Sequence, residues 1–186
     1  MSYQFKLAET ADEFDQLRRL NHRIFAEEVG QHPADASGLL IDRFESKSEY
    51  WIAVHNGALV GMLSVHDQPP YSVEKRLPSP EALDHWPSPK LEVRLLAIDP
   101  EHRNRLVLLG LLGNMAVQAL HRGYATILAS GITGRLEMYR RFGFEELGPP
   151  VEDGRAAFVP LALRLDRLPR KIRHEIGLWL KRGAVS

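Results

Sequence analysis

The stretch LEVRLLAI-DPEHRNR-LVLLGLLGNMAVQALHR, residues 91–122, decides the fold. Its first eight residues begin with alternating polar and apolar positions and then become apolar, which is typical of an inner strand covered on at least one face. A polar turn that ends basic follows at 99–105. From Leu106 onward apolar residues recur at spacings of three and four, and Gly123 stands where a helix-ending glycine belongs. The stretch therefore predicts a strand, a tight turn and a long helix.

This strand–turn–helix unit suits an anion, and in particular a pyrophosphate. A helix start presents backbone N–H groups that have no intrahelical acceptor, and the helix dipole adds partial positive charge at the same point. Arg103 and Arg105 stand beside those donors, and guanidinium groups match phosphate geometry. We predict phosphate contacts from these two arginines and from the helix start at Leu106, Val107 and Leu108. The alternative is an ordinary strand–helix connection with solvated arginines.

The composition excludes several kinds of function. The 186 residues include 24 lysines plus arginines and 24 aspartates plus glutamates, so the chain has no basic excess to attract nucleic acid. Cysteine is absent, which excludes disulfides, thiolate nucleophiles and thiolate zinc sites, and the eight histidines show no metal-ligand spacing. The N-terminal residues form no apolar signal core, and no apolar run is long enough to span a bilayer. We expect a metal-free cytoplasmic protein.

The remaining segments complete a pattern of strands and helices. Thr10 and Glu13 form a capping box that opens a helix, and Asn56-Gly57 between two apolar runs is the strongest short hairpin signal. The segment 67–90 holds six of the twelve prolines and is expected to be irregular, with a short helical piece near 81–85. Further along, the patterns predict a strand at 124–129, a helix at 134–142 capped by Thr133, strands at 144–147 and 156–163, and a basic amphipathic helix at 166–182.

The order of these elements predicts the fold class. It fits a mixed, mostly antiparallel central sheet flanked by helices, in the α/β (α+β) class. We assign residues 1–165 to one domain and residues 166–186 to a C-terminal basic helix that packs on the domain or extends it. The cationic face of this helix could contact anionic lipid weakly, or the acidic surface of a carrier protein, although a solvated face is the commoner outcome.

Two motifs resemble those of the GCN5-related N-acetyltransferase (GNAT) superfamily. They are the turn IDPEHR at 98–103 and the helix ending YRRFGF at 139–144, and the order of elements agrees over residues 50–163. The resemblance implies a GNAT-like fold, an acetyl-CoA or longer acyl-CoA donor whose pyrophosphate is held at the turn, and a small-molecule amine acceptor. That superfamily has glycine and another small residue at the helix start and an asparagine before its last helix, where this chain has Leu106, Leu108 and Ile132.

The first half resembles the acyl-homoserine-lactone synthases and the related N-acyl amino acid synthases. The matching positions are FAEE at 25–28, IDRFE at 41–45, Tyr50, Gly61, Pro70-Tyr71 and Glu92. This resemblance implies long acyl chains delivered by acyl carrier protein (ACP) as an alternative to coenzyme A. Asn21, Gln31 and Leu95 replace residues typical of the lactone synthases, so we expect an amine other than S-adenosylmethionine as acceptor.

Two residues are candidates for proton transfer. Glu92, near the start of the central strand, could take a proton from an ammonium substrate directly or through water, and Tyr139 could give one to the departing thiolate. Backbone N–H groups near Ala97 and Ile98 could polarise the thioester carbonyl. The structural alternatives are a solvated glutamate at a strand edge and a core tyrosine with a satisfied hydroxyl.

Five residues are candidates for substrate binding: Phe25, Asp42, Phe44, Tyr71 and Trp86. The Asp42 carboxylate, together with that of Glu45, could bind the ammonium group of the acceptor, although an Asp-Arg-Phe-Glu run more often forms a turn with a local ion pair. Phe25 and Phe44 belong to the first-half resemblance. Tyr71 and Trp86 lie in the proline-rich segment 67–90 and predict an apolar pocket for the acyl chain of the donor.

These observations predict an N-acyltransferase that moves an acetyl or longer acyl group from acyl-CoA to a primary amine. An ACP-dependent long-chain N-acyl amino acid synthase is the first alternative. A non-catalytic acyl-thioester-binding module is an alternative of another class, and the replaced glycines would be its expected mark. Exposed edge strands leave both a monomer and a homodimer open.

Overall fold

The Asn56-Gly57 pair makes the turn of the central hairpin. Both residues have positive φ, 51° and 81°, as a type I′ turn requires. The turn joins β2 (Glu49–His55) to β3 (Ala58–His66), which pair antiparallel with Trp51 opposite Leu63. The hairpin predicted from the sequence is confirmed.

The computed structural model describes residues 2–183, apart from the side chains of Pro80, Leu180 and Arg182. In this part of the chain the other strands are β1 (Gln4–Leu7), β4 (Lys90–Ile98), β5 (Thr126–Ile132), β6 (Glu145–Glu146), β7 (Val151–Asp153) and β8 (Ala156–Arg164). The α-helices are α1 (Ala11–Asn21), α2 (Arg105–His121), α3 (Leu136–Phe142) and α4 (Arg170–Gly183).

The strands form one mixed, mostly antiparallel sheet in the order β1-β2-β3-β4-β5-β8-β6, with β7 pairing with β8. β8 pairs antiparallel with both β5 and β6, so that Ala162 lies opposite Leu128 on one side and Glu145 on the other. Helices flank the sheet, and the predicted fold class is confirmed.

The chain divides into two compact units. The first comprises the residues up to 66 together with 93–114 and 154–156, and the second comprises 67–92, 115–153 and the residues from 157 onward. The predicted boundary at residue 165 stays a prediction.

In the first unit, α1 begins at the predicted capping box. The Thr10 hydroxyl accepts a hydrogen bond from the Glu13 N–H at 3.2 Å, and the Glu13 carboxylate accepts one from the Thr10 N–H at 3.0 Å. The helix buries Leu17 and Leu20 in a core cluster that also contains Ile24, Tyr50, Ile52, Leu59, Met62 and Ala97. The predicted helix start is therefore confirmed.

Directly after α1 the chain continues as a π-helical segment, His22–Glu28, that the sequence analysis did not predict. The Val29 N–H donates to the Ile24 carbonyl at 2.8 Å, a bond five residues back instead of four. Segments of this kind are rare and frequently lie at functional sites.

β1 packs closely against α2 because α2 has a glycine at the point of contact. The Phe5 ring lies so close to Gly110 that a Cβ atom placed on this glycine would be 2.1 Å from the ring. Gly61 of β3 makes room for α2 in a similar way, since a Cβ atom there would lie 3.2 Å from the side chains of both Val107 and Leu111. Helix and strands therefore approach closely where glycine is present.

In the second unit, the proline-rich segment 67–90 is irregular, as predicted. It contains two 3₁₀ turns, Ser72–Arg76 and Pro80–Leu83, and the second lies near the short helical piece expected at 81–85. The apolar cluster of this unit consists of Val73, Leu83, Leu128 and Ala162, against which Tyr71, Leu77, Trp86 and Leu147 pack.

Several predicted boundaries toward the C-terminus are wrong. α3 begins at Leu136, because Thr133–Arg135 form a tighter 3₁₀ turn, and Thr133 does not cap the helix. The strand predicted at 144–147 is only the two residues of β6, and β7 was not predicted.

The helix predicted at 166–182 starts later than expected. Leu165–Arg167 form a 3₁₀ turn and α4 begins at Arg170, directly after Pro169, which has no N–H to donate to a helical ladder. None of the described helices has the length and apolar composition needed to cross a bilayer.

Candidate active site

The turn between β4 and α2 is held by its own side chains. Asp99 accepts a hydrogen bond from the Glu101 N–H at 3.1 Å and so begins the 3₁₀ turn Pro100–His102. Asn104 caps α2, because its side-chain oxygen accepts from the Val107 N–H at 3.0 Å. The sequence analysis missed this cap, although asparagine before an apolar run is a helix-start signal.

The residues predicted to contact phosphate differ in the exposure of their backbone N–H groups and side chains. Within residues 2–183, the backbone N–H groups of Arg103 and Leu106 have no hydrogen-bond acceptor. Arg105 is exposed and Leu106 is 49% exposed. The Val107 side chain is fully buried and Leu108 is half-buried. The open donors and the two arginines therefore lie in the turn before α2 and in the first two residues of the helix.

Two ion pairs join this turn to the π-helical segment. Arg23 pairs with Asp99, and Glu28 pairs with Arg103. Arg103 also donates from Nε to the Ile98 carbonyl at 3.1 Å. The guanidinium predicted to bind phosphate therefore already binds a carboxylate of the same chain.

β4 departs from regular extended geometry at one residue. Leu95 has a φ of 51°, and a non-glycine residue in the left-handed region within a strand is strained and often marks a bulge near a functional site. Ala97, two residues further, is 2% exposed, and Ile98 is half-buried. Nothing in the sequence indicated the Leu95 conformation, since glycine or asparagine is usual at such positions.

Asp42 is buried and binds three donors. Its carboxylate accepts hydrogen bonds from Arg94 Nη1 at 2.7 Å, from the Tyr50 hydroxyl at 2.9 Å and from the Phe44 N–H at 3.1 Å. Burial alone would raise the pKa of the Asp42 carboxyl, but the Arg94 guanidinium and the other donors outweigh it, and the pKa lies below its usual value. Asp42 is thus an ionised partner of Arg94, and its role in binding an ammonium group stays a prediction.

The neighbouring predicted residues are engaged as well. Glu45 accepts hydrogen bonds from Arg18 Nε at 3.1 Å and Nη2 at 2.6 Å. The Arg94 guanidinium carbon lies 4.5 Å from the centroid of the Phe44 ring, and Phe25 is half-buried against the core of the first unit. Arg94 therefore joins Asp42 to Phe44. An arginine within the apolar run 91–98 was a signal of a buried carboxylate partner that the sequence analysis did not use.

Glu92, in the second unit, has no exposed surface. Its Oε2 accepts a hydrogen bond from the Ser72 N–H at 2.7 Å, and its Oε1 accepts from the Ser72 hydroxyl at 2.8 Å and the Val73 N–H at 2.7 Å. The carboxylate therefore anchors the 3₁₀ turn Ser72–Arg76. The alternative of a solvated glutamate at a strand edge is wrong, and the role as a base stays a prediction.

Tyr71 and Trp86 are brought together by the apolar cluster of the second unit. The Tyr71 hydroxyl donates to the Asp67 carbonyl at 3.0 Å. Burial, with the negative charges of Asp67 and Glu92, raises the pKa of the Tyr71 phenol. The two side chains predicted to line an acyl pocket thus share one apolar surface with strand residues.

Tyr139 lies on α3, which ends at Gly143 with a φ of 94°. Its ring packs edge-on against Phe144, with the centroids 5.7 Å apart, and fills the space beside Gly131, where a Cβ atom would lie 2.8 Å from it. Burial raises the pKa of the Tyr139 phenol. No described group forms a hydrogen bond with its hydroxyl, and the role of Tyr139 as a proton donor stays a prediction.

The part of the chain that the structure describes contains no cluster of metal-ligating side chains. No three side chains of histidine, cysteine, aspartate or glutamate are grouped there so as to hold a metal ion.

Solved structures with the same fold include three acyl-transferring proteins. The CoA-dependent acyl-homoserine lactone synthase BjaI, with SAM and isopentyl-CoA, has a TM-score of 0.72 at 18% identity over 97% of this chain and 89% of that chain. FeeM, an N-acyl amino acid synthase from uncultured soil microbes, has a TM-score of 0.68 at 16% identity over 89% and 92%. An N-acetyltransferase from Staphylococcus aureus Mu50 has a TM-score of 0.62 at 16% identity over 89% and 99%. At these identities the likeness establishes the fold.

The sequence matches the model of a known protein family over most of its length. No curated protein matches it. The model of the acetyltransferase (GNAT) family matches residues 14–144, a range that includes the turn at Arg103 and the YRRFGF ending. Because this match spans most of the chain and the fold agrees with it, the chain belongs to the acetyltransferase (GNAT) family and is an enzyme of the N-acyltransferase type.

Proposed function

We propose that this protein transfers an acyl group from acyl-CoA to a primary amine. The observation that carries the proposal is the turn before α2, where two open backbone N–H groups and the partly exposed Arg103 side chain lie within four residues of one another. The 17-residue helix adds the positive end of its dipole at the same point. Phosphate groups are bound by this combination, and coenzyme A carries a pyrophosphate.

The residues of the turn fit such a donor with one restriction. Arg103 and Arg105 supply positive charge, and the open N–H groups supply directed donors. The Leu106 side chain stands where a glycine would let the backbone approach phosphate closely. The donor is therefore held more by the two arginine side chains and less by the backbone than in a glycine-rich turn.

The proposed reaction is the aminolysis of a thioester. The amine nitrogen attacks the carbonyl carbon, a C–N bond forms, and the C–S bond breaks with release of the thiolate. Tyr139 gives this thiolate a proton and recovers one from the nitrogen as the amide forms, so that one N–H proton of the neutral amine ends on the sulfur; no described group accepts a hydrogen bond from the Tyr139 hydroxyl. Backbone N–H groups near Ala97 and Ile98 stabilise the oxyanion of the tetrahedral intermediate.

Glu92 is the proposed base, and its burial determines how a proton reaches it. A fully buried carboxylate that already binds three donors does not meet the amine directly. The Ser72 hydroxyl, which donates to Glu92 at 2.8 Å, is the described group through which the proton can pass. Ser72 would then give its proton to Glu92 as it receives one from the ammonium group, so the charges balance.

A second candidate is an ACP-dependent synthase that transfers long acyl chains to amino acids. The partly buried side chains of Tyr71, Leu77 and Trp86, which pack against the apolar cluster of the second unit, favour it, because a long acyl chain needs apolar area to lie against whereas an acetyl group does not. The fold is shared with the N-acyl amino acid synthase FeeM, which makes the same acceptor class a reasonable first test.

One assay tests both candidates. The purified protein is incubated with radiolabelled acetyl-CoA, palmitoyl-CoA or palmitoyl-ACP and a mixture of primary amines that includes amino acids, with heat-denatured protein as the control. Labelled amide from a CoA donor supports the first proposal, and labelled amide from palmitoyl-ACP alone supports the second. Absence of label transfer from all three donors would overturn both.

A further inference from the structure

One carboxylate of the chain holds the guanidinium on which the proposed donor site depends. Glu28 ends the π-helical segment and accepts a hydrogen bond from Arg103 Nη2. The two side chains are 41% and 45% exposed, for Arg103 and Glu28 respectively, so an anion in solution can reach the pair. Arg103 Nε is bound to the Ile98 carbonyl at 3.1 Å, which orients the guanidinium edge that Glu28 occupies.

The turn does not depend on Glu28 for its shape. Arg23 pairs with Asp99, Asp99 accepts from the Glu101 N–H, and Asn104 caps α2. These contacts fix both ends of the turn. The Glu28–Arg103 pair can therefore open without loss of the surrounding backbone.

We infer that Glu28 is an internal competitor for the donor, which binds by exchanging the Glu28 carboxylate on Arg103 for a phosphate group. The inference rests on the proposed donor site at Arg103. Nε of Arg103 is bound to the Ile98 carbonyl and Nη2 to Glu28, so a phosphate that takes the Nη2 N–H now used by Glu28 must displace that carboxylate. Glu28 thereby lowers the affinity for phosphate-bearing donors, and it is a positioning residue since it acts through Arg103.

The opposite role would be a carboxylate that orients Arg103 for the phosphate. An orienting carboxylate raises donor affinity, whereas a competing one lowers it. Whether the affinity for coenzyme A rises or falls when Glu28 is replaced therefore distinguishes the two roles. The affinity for a fragment of coenzyme A without phosphate is expected to stay the same in both cases.

The test compares Glu28→Gln with Glu27→Gln by calorimetric titration of coenzyme A and of phosphate-free pantetheine. Glu27 is the matched control, because it is the adjacent carboxylate but pairs with His22 instead of Arg103. Removal of an exposed ion-pair competitor corresponds to about a two- to five-fold change in Kd. We expect E28Q to bind coenzyme A more tightly than E27Q by that factor and to bind pantetheine equally. Thermal unfolding confirms that both variants fold.

Arg103→Ala, alone and combined with E28Q, separates a failure of the proposed donor site from a failure of the inference on Glu28. R103A is expected to weaken binding of coenzyme A, and E28Q is expected to add nothing in the R103A background. If R103A binds coenzyme A like wild type, the donor site and the Glu28 inference are both overturned. If R103A binds weakly but E28Q does not bind more tightly than E27Q, the donor site stands and only the inference on Glu28 is overturned. No binding by any variant would overturn both.

Discussion

At the scale of the residue, Glu92 combines a carboxylate with complete burial, and at least three hydrogen-bond donors compensate the loss of water around it. Glu92→Gln replaces one oxygen with an amide group that cannot accept a hydrogen bond. A hydrogen bond to a charged group contributes about 1.5–3 kcal/mol, and we expect urea unfolding to show a loss of stability of about that size.

Glu74→Gln is the matched control for this change. Glu74 binds the Tyr71 N–H of the same segment at 3.0 Å but is exposed, so its replacement should cost less. Equal losses in the two variants would contradict the contribution of the buried carboxylate.

The turnover of folded E92Q tests the proposed base, whose removal typically lowers a rate by about 10² to 10⁴. Wild-type turnover would remove that role from Glu92.

Tyr139→Phe is expected to keep the stability of the protein and to slow thiolate departure. The ring contacts with Phe144 remain, and no described hydrogen bond is lost with the hydroxyl. A single-turnover measurement of acyl transfer checks the rate. Tyr124→Phe serves as the control, since its hydroxyl donates to Asp67 at 2.7 Å and has no proposed part in the chemistry. Equal acyl-transfer rates in Y139F and wild type would leave Tyr139 as a packing residue.

At the scale of the element, the start of α1 makes stability depend on pH. Hydrogen bonds from the Glu9 N–H and the Lys6 ammonium group lower the pKa of the Glu13 carboxyl from an ordinary 4.5 to about 2. A carboxyl with a lowered folded-state pKa stabilises the protein above its unfolded pKa, and this contribution is lost as the pH falls through the folded pKa. We expect the Tm difference between wild type and Glu13→Gln to shrink between about pH 4.5 and pH 2.

Thermal unfolding at a series of pH values measures this difference. Glu9→Gln, which changes an exposed carboxylate beside the same cap, corrects for the general change in charge. A Tm difference for E13Q that stays constant over the whole window would show that the capping carboxylate does not titrate as expected.

Elements defined by adjacent residues could be predicted, and those defined by packing could not. The capping box at Thr10 and the turn at Asn56-Gly57 each need only a few neighbouring residues, so the sequence contained the whole signal. The segment 22–28 has the apolar spacing of an ordinary helix, and no residue in it or next to it indicates the π-helical hydrogen bonds. The left-handed conformation of Leu95 could not be predicted from the sequence either, because the surrounding fold maintains strain of this kind.

At the scale of the whole molecule, the candidate site was predictable in its residue types and less so in its contacts. The arginines beside a helix start could be identified from spacing alone. The pairs Glu28–Arg103 and Asp42–Arg94 join residues 75 and 52 positions apart, and a chain with 24 acidic and 24 basic residues offers many equivalent pairings. Only the fold selects among them.

The apolar cluster of the second unit leads to a prediction on donor length. If the acyl chain lies against Tyr71 and Trp86, each buried methylene contributes about 0.8 kcal/mol, and kcat/KM should rise from acetyl- through butyryl- to octanoyl-CoA. Trp86→Ala should flatten this rise, whereas Trp179→Ala on α4 should not. A preference for acetyl-CoA that declines steadily with chain length would exclude the long-chain candidate.

The ring of Phe5 over Gly110 constrains how this chain can evolve. We expect a relative that carries alanine at position 110 to have a smaller or displaced side chain at position 5, and a relative that keeps this ring in place to keep the glycine. The two positions should therefore covary when related sequences are aligned. Such a covarying pair would mark where β1 meets α2 in chains too divergent for the IDPEHR and YRRFGF motifs to be recognised.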